Sequence, residues 1–416
     1  NRVRRQRQMC IRDRLYRDCD GISLPTTNQT LNVWNHPTVT TISLQFISNT
    51  DISPDCDVTN SGNPALDCFT NPVGAVEEYI YQSLPIALIG APPISNPPTP
   101  TTHGWHFTWD SCCRNGAIVN LATPSSDGFT MRASMFAYVD PLGNSTPTDP
   151  CFDSSPIFNE SPKTIICTGY PFSYTHNASD QEMDSLVYSW DEPLDDFFGA
   201  YNPPVTPGLL TYTPPYTANN PLPGNPTLNP QNGQISYTSN LSGNFVTVVR
   251  VDAYKCDQLV AQIYREIQAV LIACPPLAGG NANLPPNIPA PFPAPTPYYT
   301  TVAAGTLVSF NISASDADLY AAGVPQDVSL EITGGQMAGD FITTTDCVSP
   351  PCATFTDNLG NPPPFSSPSI VNGIFEWQTA CTHIASDAGC GNVSNIYNFA
   401  IKACLLYTSD AADEHG

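Results

Sequence analysis

The sequence predicts an all-β fold, a series of β-sandwich modules joined by proline-rich linkers. Composition is the first of three observations behind this. With 44 Pro and 26 Gly in 416 residues, and with Thr, Ser and Asn abundant between short β-branched or aromatic runs, long helices are disfavoured and strands joined by turns are favoured. Alternation is the second. Around Ile263 to Ile272, Ile267, Ala269 and Leu271 point one way while Glu266 and Gln268 point the other, which is the period of a half-buried strand. The third is an internal repeat. Phe172-Ser173-Tyr174-Thr175-His176-Asn177-Ala178-Ser179-Asp180 lines up without gaps on Val308-Ser309-Phe310-Asn311-Ile312-Ser313-Ala314-Ser315-Asp316, 136 residues on. Asn232-Gly233-Gln234-Ile235-Ser236-Tyr237 lines up on Asn372-Gly373-Ile374-Phe375-Glu376-Trp377, 140 residues on. Two blocks recurring in the same order at nearly the same spacing imply a duplicated domain.

The two ends stand apart from this pattern. Residues 4–14 (RRQRQMCIRDR) read as an in-frame translation of a transposase adapter used to prepare sequencing libraries, and residues 404–414 (CLLYTSDAADE) as its reverse complement. Residues 1–14 and 404–416 are therefore expected to be adapter-derived, and the chain to be a fragment lacking both true termini.

Between them, residues 15–156 form an N-terminal β-rich module with strands expected at Thr41 to Ile47, Trp105 to Trp109 and Phe129 to Val139. Residues 157–275 form the first repeat, with strands at Phe172 to Thr175, Leu186 to Trp190, Gln234 to Thr238, Phe245 to Val251 and Ile263 to Ile272. Several short antiparallel strands with turn punctuation over about 110 residues suggest a sandwich of immunoglobulin-like, cadherin-like or PKD-like type. Asn232-Gly233, and with it Asn372-Gly373, is read as a turn that needs positive φ. Pro203 to Pro230 is a long loop within this repeat. Residues 276–297, rich in Pro, Ala, Gly and Asn, are a spacer, and residues 298–403 are the second repeat.

The net charge of −23 repels phosphate backbones and anionic lipid surfaces and attracts divalent cations or basic partners. Six of the fourteen basic residues (Arg2, Arg4, Arg5, Arg7, Arg12 and Arg14) lie in the first fourteen positions, so the basic run there is no nucleic-acid arm. No apolar run approaches the ~20 residues that span a bilayer, and neither nucleic-acid binding nor membrane insertion is expected. Thirteen of the fifteen cysteines lie between Leu15 and Ala403 without CxxC pairs, which points to disulfides in an oxidising compartment rather than to zinc. Triplets such as Asn240-Leu241-Ser242 match the glycosylation acceptor pattern, which a chain rich in Asn, Ser and Thr produces by chance.

Three stretches carry a resemblance. Leu15-Tyr16-Arg17-Asp18-Cys19-Asp20-Gly21-Ile22 and Trp109-Asp110-Ser111-Cys112-Cys113-Arg114-Asn115-Gly116-Ala117-Ile118-Val119-Asn120-Leu121 fall in the N-terminal module. Ala178-Ser179-Asp180-Gln181-Glu182-Met183-Asp184-Ser185-Leu186-Val187-Tyr188-Ser189-Trp190 falls in the first repeat. These resemble long Bacteroidota surface proteins that often end in a gliding-motility-associated or type IX sorting domain. The third is similar to the A-x-D-x-D-G-D-x-L-x-Y signature of cadherin-like repeats, with Glu182 and Met183 where Asp and Gly are usual. The resemblance implies secretion and a cell-surface or matrix role, and no defined chemistry.

Asp180, Glu182 and Asp184 place carboxylates at alternate positions before a strand, and Asp316, Asp318 and Asp327 are the second copy's offering. Oxygen ligands converging there could bind Ca²⁺ and stiffen a joint between modules; the alternative is a solvated turn in which Asp caps its own backbone. Cys112 and Cys113 are expected to send two disulfides to different strands, with Cys19, Cys56, Cys68 and Cys151 as partners. Cys347 with Cys352, and Cys381 with Cys390, could each close a short loop worth roughly 2 to 3 kcal/mol. Cys167 and Cys274 bracket the first repeat, leaving Cys256 spare. His103 and His106 beside the cysteine pair do not make a metal site, since residues three apart on a strand face opposite sides. Tyr79, Tyr81, Trp105, Trp109, Trp190 and Trp377 are read as packing residues.

No GxSxG elbow, HExxH, Walker loop or dinucleotide fingerprint occurs, and acidic pairs such as Asp195-Asp196 are expected by chance. The sequence is thus read as a non-catalytic piece of an extracellular or outer-surface adhesive protein. Its partner would be a surface, matrix or glycan ligand, and further repeats would belong to the same chain. The alternative is a set of spacer or glycan-targeting modules for a secreted hydrolase.

Overall fold

The computed structural model describes residues 11–20, 23–53, 67–70, 72, 75–139, 145–146, 153–162, 165–273, 284–319, 323–338, 347–384 and 395–406. The described residues are all-β apart from one 3₁₀ turn at Cys381–His383. The N-terminal part holds β1 (Arg12–Asp18), β2 (Gln29–Trp34), β3 (Thr41–Asp51), β4 (Val76–Ser83), β5 (Trp105–Ser111), β6 (Phe129–Met135), β7 (Tyr138–Val139) and β8 (Ser145–Thr146). The first repeat holds β9 (Ile157–Phe158), β10 (Ile165–Cys167), β11 (Pro171–Thr175), β12 (Ala178–Ser179), β13 (Ser185–Trp190), β14 (Thr227–Leu228), β15 (Gln234–Thr238), β16 (Gly243–Lys255) and β17 (Gln258–Ile272). The second holds β18 (Leu307–Ser315), β19 (Asp327–Thr333), β20 (Thr354–Thr356), β21 (Phe365–Pro368), β22 (Ile370–Gln378) and β23 (Ala400–Leu406).

The repeated blocks pair with one another in the same register. Tyr174 stands opposite Ile235 and Phe172 opposite Tyr237 across β11 and β15. Their counterparts Phe310 and Phe375, and Val308 and Trp377, stand opposite across β18 and β22. Each repeat packs that small sheet, β11-β15-β14 or β18-β22-β20, against a second one. In the second repeat the other sheet is β21-β19-β23, and Ile312, Phe355 and Phe375 meet Val328, Leu330 and Ile332 in the core between them.

The first repeat differs in what its other sheet joins. β13, β16 and β17 continue through β6 into β5, β2, β3, β4 and β1, with Met135 opposite Ala261 and Ala133 opposite Ile263. One sheet thus crosses the division at residue 156. The alternation read around Ile267 sets this up. Ile267, Ala269 and Leu271 are buried, the last two packed with Phe245, Val249 and Val251, and the hairpin turn at Cys256 and Asp257 has φ of 48° and 63°, as a two-residue turn matching strand twist requires.

Two loops are more structured than their composition suggests. Within 203–230, Leu210 and Leu222 are buried, and Leu210 joins Ile118, Leu121 and Val246 in a small cluster. In the spacer, Phe292 packs on Phe310 at 4.8 Å and Asn287 bridges to Ser315. Tyr79, Tyr81, Trp105, Trp109 and Trp377 are buried, and Trp190 is half-buried against the first repeat's core. β1 and β23 run across the expected adapter boundaries, Arg14 facing Ile80 and Cys404 facing Ser329.

Asn232-Gly233 and Asn372-Gly373 do not share a turn. Gly233 has φ of +70°, as expected, but Gly373 lies inside β22 opposite Ile312. Its missing Cβ is what lets the Phe355 ring lie against the strand, so sequence equivalence conceals two separate reasons for glycine.

Candidate functional site

The acidic turn between β12 and β13 is built by its first residue. The backbone N–H groups of Glu182 and Asp184 donate to Asp180 Oδ1 at 2.9 and 3.0 Å, the self-capping that Asp gives a turn. Met183 sits at φ 63°, the left-handed conformation for which a glycine is normally used. Its sulfur accepts the Tyr397 hydroxyl of the second repeat at 3.3 Å, which gives that position a side chain to keep.

The turn's carboxylates separate. Glu182 accepts the backbone N–H and hydroxyl of Ser154 at 3.0 and 3.1 Å. Asp184 receives Lys255 Nζ on both oxygens, at 2.6 and 2.8 Å. Asp153 adds a carboxyl from the segment before β9, 3.5 Å from the same Nζ. Side-chain exposure is 1% for Asp153, 6% for Asp184 and 11% for Lys255. Neither Asp153 oxygen nor Asp180 Oδ2 has a hydrogen-bond partner; for Asp153 the 3.5 Å approach of Lys255 is therefore an electrostatic contact only. Burial, with a carboxyl–carboxyl contact to Asp184, pushes Asp153 up to about 9. Burial and the neighbouring Asp184 push Asp180 up to about 7. Burial pulls Lys255 down, and Asp184, Asp153 and Asp180 together more than reverse it.

Of the residues expected to meet a calcium ion, the structure brings Asp180 and Asp184 together and turns Glu182 aside. A calcium ion at Asp184 would have to displace the Lys255 ammonium. In the second copy Asp316 Oδ1 accepts the Asp318 N–H at 2.7 Å and Asp318 Oδ2 accepts the Leu284 N–H at 2.7 Å. Asp327 begins β19 opposite Leu406. Among the described residues no three His, Cys, Asp or Glu side chains are arranged to hold a metal ion.

Beside the turn lies the joint between the repeats. Glu160, buried, receives Lys402 Nζ at 3.2 Å and the Thr333 hydroxyl. Lys402 also meets Glu331 at 2.6 Å, and Asn177 Nδ2 donates to Thr333 at 3.2 Å. On the first-repeat side, Arg265 donates to the Glu160 carbonyl and the Tyr174 hydroxyl and lies 3.9 Å from the centre of the Phe158 ring. His176 is fully buried there with both ring nitrogens unpartnered, and burial holds its pKa well below the usual value.

Cysteine pairing departs from expectation in several places. Cys112 and Cys113 are bonded to each other, not to separate strands. They are exposed where β5 runs out into a loop. Cys19 is bonded to Cys68 and Cys347, as expected, to Cys352; Cys381 is a free exposed thiol, not half of the loop closure expected with Cys390. Cys56, Cys151, Cys274 and Cys390 lie outside the described residues. Cys167, Cys256 and Cys404 are each disulfide-bonded, so Cys256 is not spare. His106 bonds Ser134 at 2.8 Å and the His103 carbonyl at 2.9 Å. Along β5 it is about 20 Å from Cys112 at the rise of an extended strand. Asp195 caps Gly128 and Asp196 through their N–H groups at 2.5 and 2.9 Å.

Sequence reading missed Lys255, Asp153, Glu160 and Lys402. Scarcity was the available signal: the chain has three lysines, and two of them are tied to buried carboxylates.

No family model and no curated protein matches the chain. Among solved structures, the comparison found a chain described as "Structural basis for Dscam isoform specificity", 9% identical over 95% of this chain and 90% of that one, at a TM-score of 0.16.

Proposed function

We propose that the protein is a structural and adhesive component of a bacterial cell surface, of the kind linked to gliding motility or surface attachment. The observation that carries this reading is how the modules are joined. A sheet shared through β6 and β17 ties the N-terminal part to the first repeat. A buried ion pair between Glu160 and Lys402 ties the first repeat to the second. Joints held by backbone ladders and buried polar contacts resist bending, which suits a stalk that holds exposed loops away from a cell. Disulfides at Cys19–Cys68 and Cys347–Cys352 suit an extracellular setting. The three stretches quoted above support export of the type IX kind.

The test is recovery of the complete reading frame from source DNA by long-read sequencing. An export signal upstream and further repeats leading to a sorting domain are expected. A catalytic domain in the same frame would replace this reading with accessory modules of a secreted hydrolase. Glycan-array binding by the intact chain, compared with an unrelated β-sandwich, reads the ligand class directly.

A further inference from the structure

We propose that Lys255 and Asp184 join through an intramolecular amide, formed by the chain itself with Asp153 as the acid–base group. Lys255 ends β16 and Asp184 immediately precedes β13, and Ser185 stands opposite Tyr254 where the two strands pair. The two side chains therefore leave neighbouring positions on one face of the sheet. Ala253 and Leu186, on that same face, belong to an apolar cluster with Tyr138, Val260 and Ala261. Nζ lies within hydrogen-bonding distance of both Asp184 oxygens, which puts the amine next to the carboxyl carbon; rotation of the carboxyl plane then exposes that carbon to attack.

Three features distinguish this cluster from an ordinary salt bridge. An ion pair this deeply buried is costly to keep charged, and the amide removes both charges at once. Asp153, in contact with Asp184 and nearly sealed from water, is a second carboxyl that can hold and pass a proton, as paired carboxyls sharing one proton do. In the ion pair Lys255 Nζ comes no nearer to Asp153 than 3.5 Å, whereas a new amide would offer Asp153 an N–H and a C=O.

The reaction balances within the chain. The Lys255 ammonium passes a proton to the Asp184 carboxylate, and the free amine adds to Asp184 Cγ. Asp153 relays the nitrogen's proton to the departing hydroxyl, which leaves as water, and returns to its starting form. One ammonium and one carboxylate become one secondary amide and one water, with no oxidant or co-reactant.

Intact mass spectrometry of the full chain, reduced, alkylated and denatured, is expected to read one water below the mass the sequence requires. Proteolysis should then release a branched peptide joining the segments that carry Asp184 and Lys255. Lys255→Arg keeps the charge and should restore the full mass, with circular dichroism confirming the fold. Asp153→Asn should slow the joining by roughly a hundredfold or more. A wild-type chain at full sequence mass overturns the proposal, as does a missing water that maps elsewhere. Unimpaired joining in Asp153→Asn overturns the role of Asp153. The decisive mass is read on the wild-type chain, so that outcome depends neither on a variant folding nor on the flanking sequence that decides the adhesive reading; circular dichroism of Asp153→Asn keeps its slowed joining distinct from misfolding.

Discussion

Glu160 of the first repeat and Lys402 of the second lie 3.2 Å apart, and the Glu160 side chain is 2% exposed. Lys402→Met removes the cation but leaves the carboxylate buried beside Thr333. Breaking a buried pair from one side costs roughly 3 to 5 kcal/mol, reduced here because Lys402 is itself partly exposed and the Thr333 hydroxyl still donates to Glu160. We expect a loss of about 2 to 3 kcal/mol in urea unfolding. A loss under about 0.5 kcal/mol, the size of a surface substitution, would show that the joint does not depend on this pair.

His176 gives the joint a pH dependence whose sign can be worked out. Burial depresses its folded pKa well below 6.5, so below that value the unfolded chain binds a proton that the native chain does not. Stability contributed by keeping His176 neutral is present above the unfolded value and is lost as pH falls beneath it, by about 1.4 kcal/mol per pH unit. Because other groups titrate in the same range, the test is a difference. Between pH 6.5 and 5, wild type should lose more stability than His176→Phe by roughly 2 kcal/mol; parallel curves would contradict it.

Gly373→Ala puts a methyl group into the Phe355 ring and close to Phe365. Both rings belong to the second repeat's core, so relief requires the sheets to move. Overpacking of this kind costs typically 1 to 3 kcal/mol. Thermal unfolding should show a lowered midpoint for the second repeat. Gly305→Ala is the comparison, since no atom lies within 4 Å of a Cβ there; its penalty comes only from its φ of +92°.

The disulfides should contribute according to the chain they close. Cys19 and Cys68 are 49 residues apart and Cys347 and Cys352 are 5 apart. On the chain-entropy account, replacing each pair by alanines costs about 4 and about 2 kcal/mol respectively. Cys112 and Cys113 are adjacent and close no loop, so their replacement by serine should change stability little. Peptide mapping without reduction should find their bond within one peptide.

The alternation in β17 and the paired blocks of the two repeats could be read from the sequence because they depend on local period and on self-similarity. Tyr174 opposite Ile235 and Phe310 opposite Phe375 follow once the blocks are recognised. The pairing of Met135 with Ala261 could not be read, because a strand that lends an edge carries no local mark of its neighbour. Lys255 was hidden for a related reason: its partners Asp184 and Asp153 are 71 and 102 positions away along the chain, and only the fold brings them to it. Gly373 misled because a repeat preserves residue type without preserving the reason for it.

The ladder between β6 and β17 bears on how such proteins can evolve by exchange of parts. Cutting at residue 156 and transplanting either piece would strip the backbone partners from Ala261 to Ile263 and from Ala133 to Met135, leaving two raw edges prone to pairing with other chains. Recombination that preserves solubility therefore has to carry β1 to β17 together. The second repeat, whose two sheets draw only on its own strands, is the part that can be copied, lost or multiplied as a cassette without opening a sheet edge, provided the Glu160–Lys402 joint is matched.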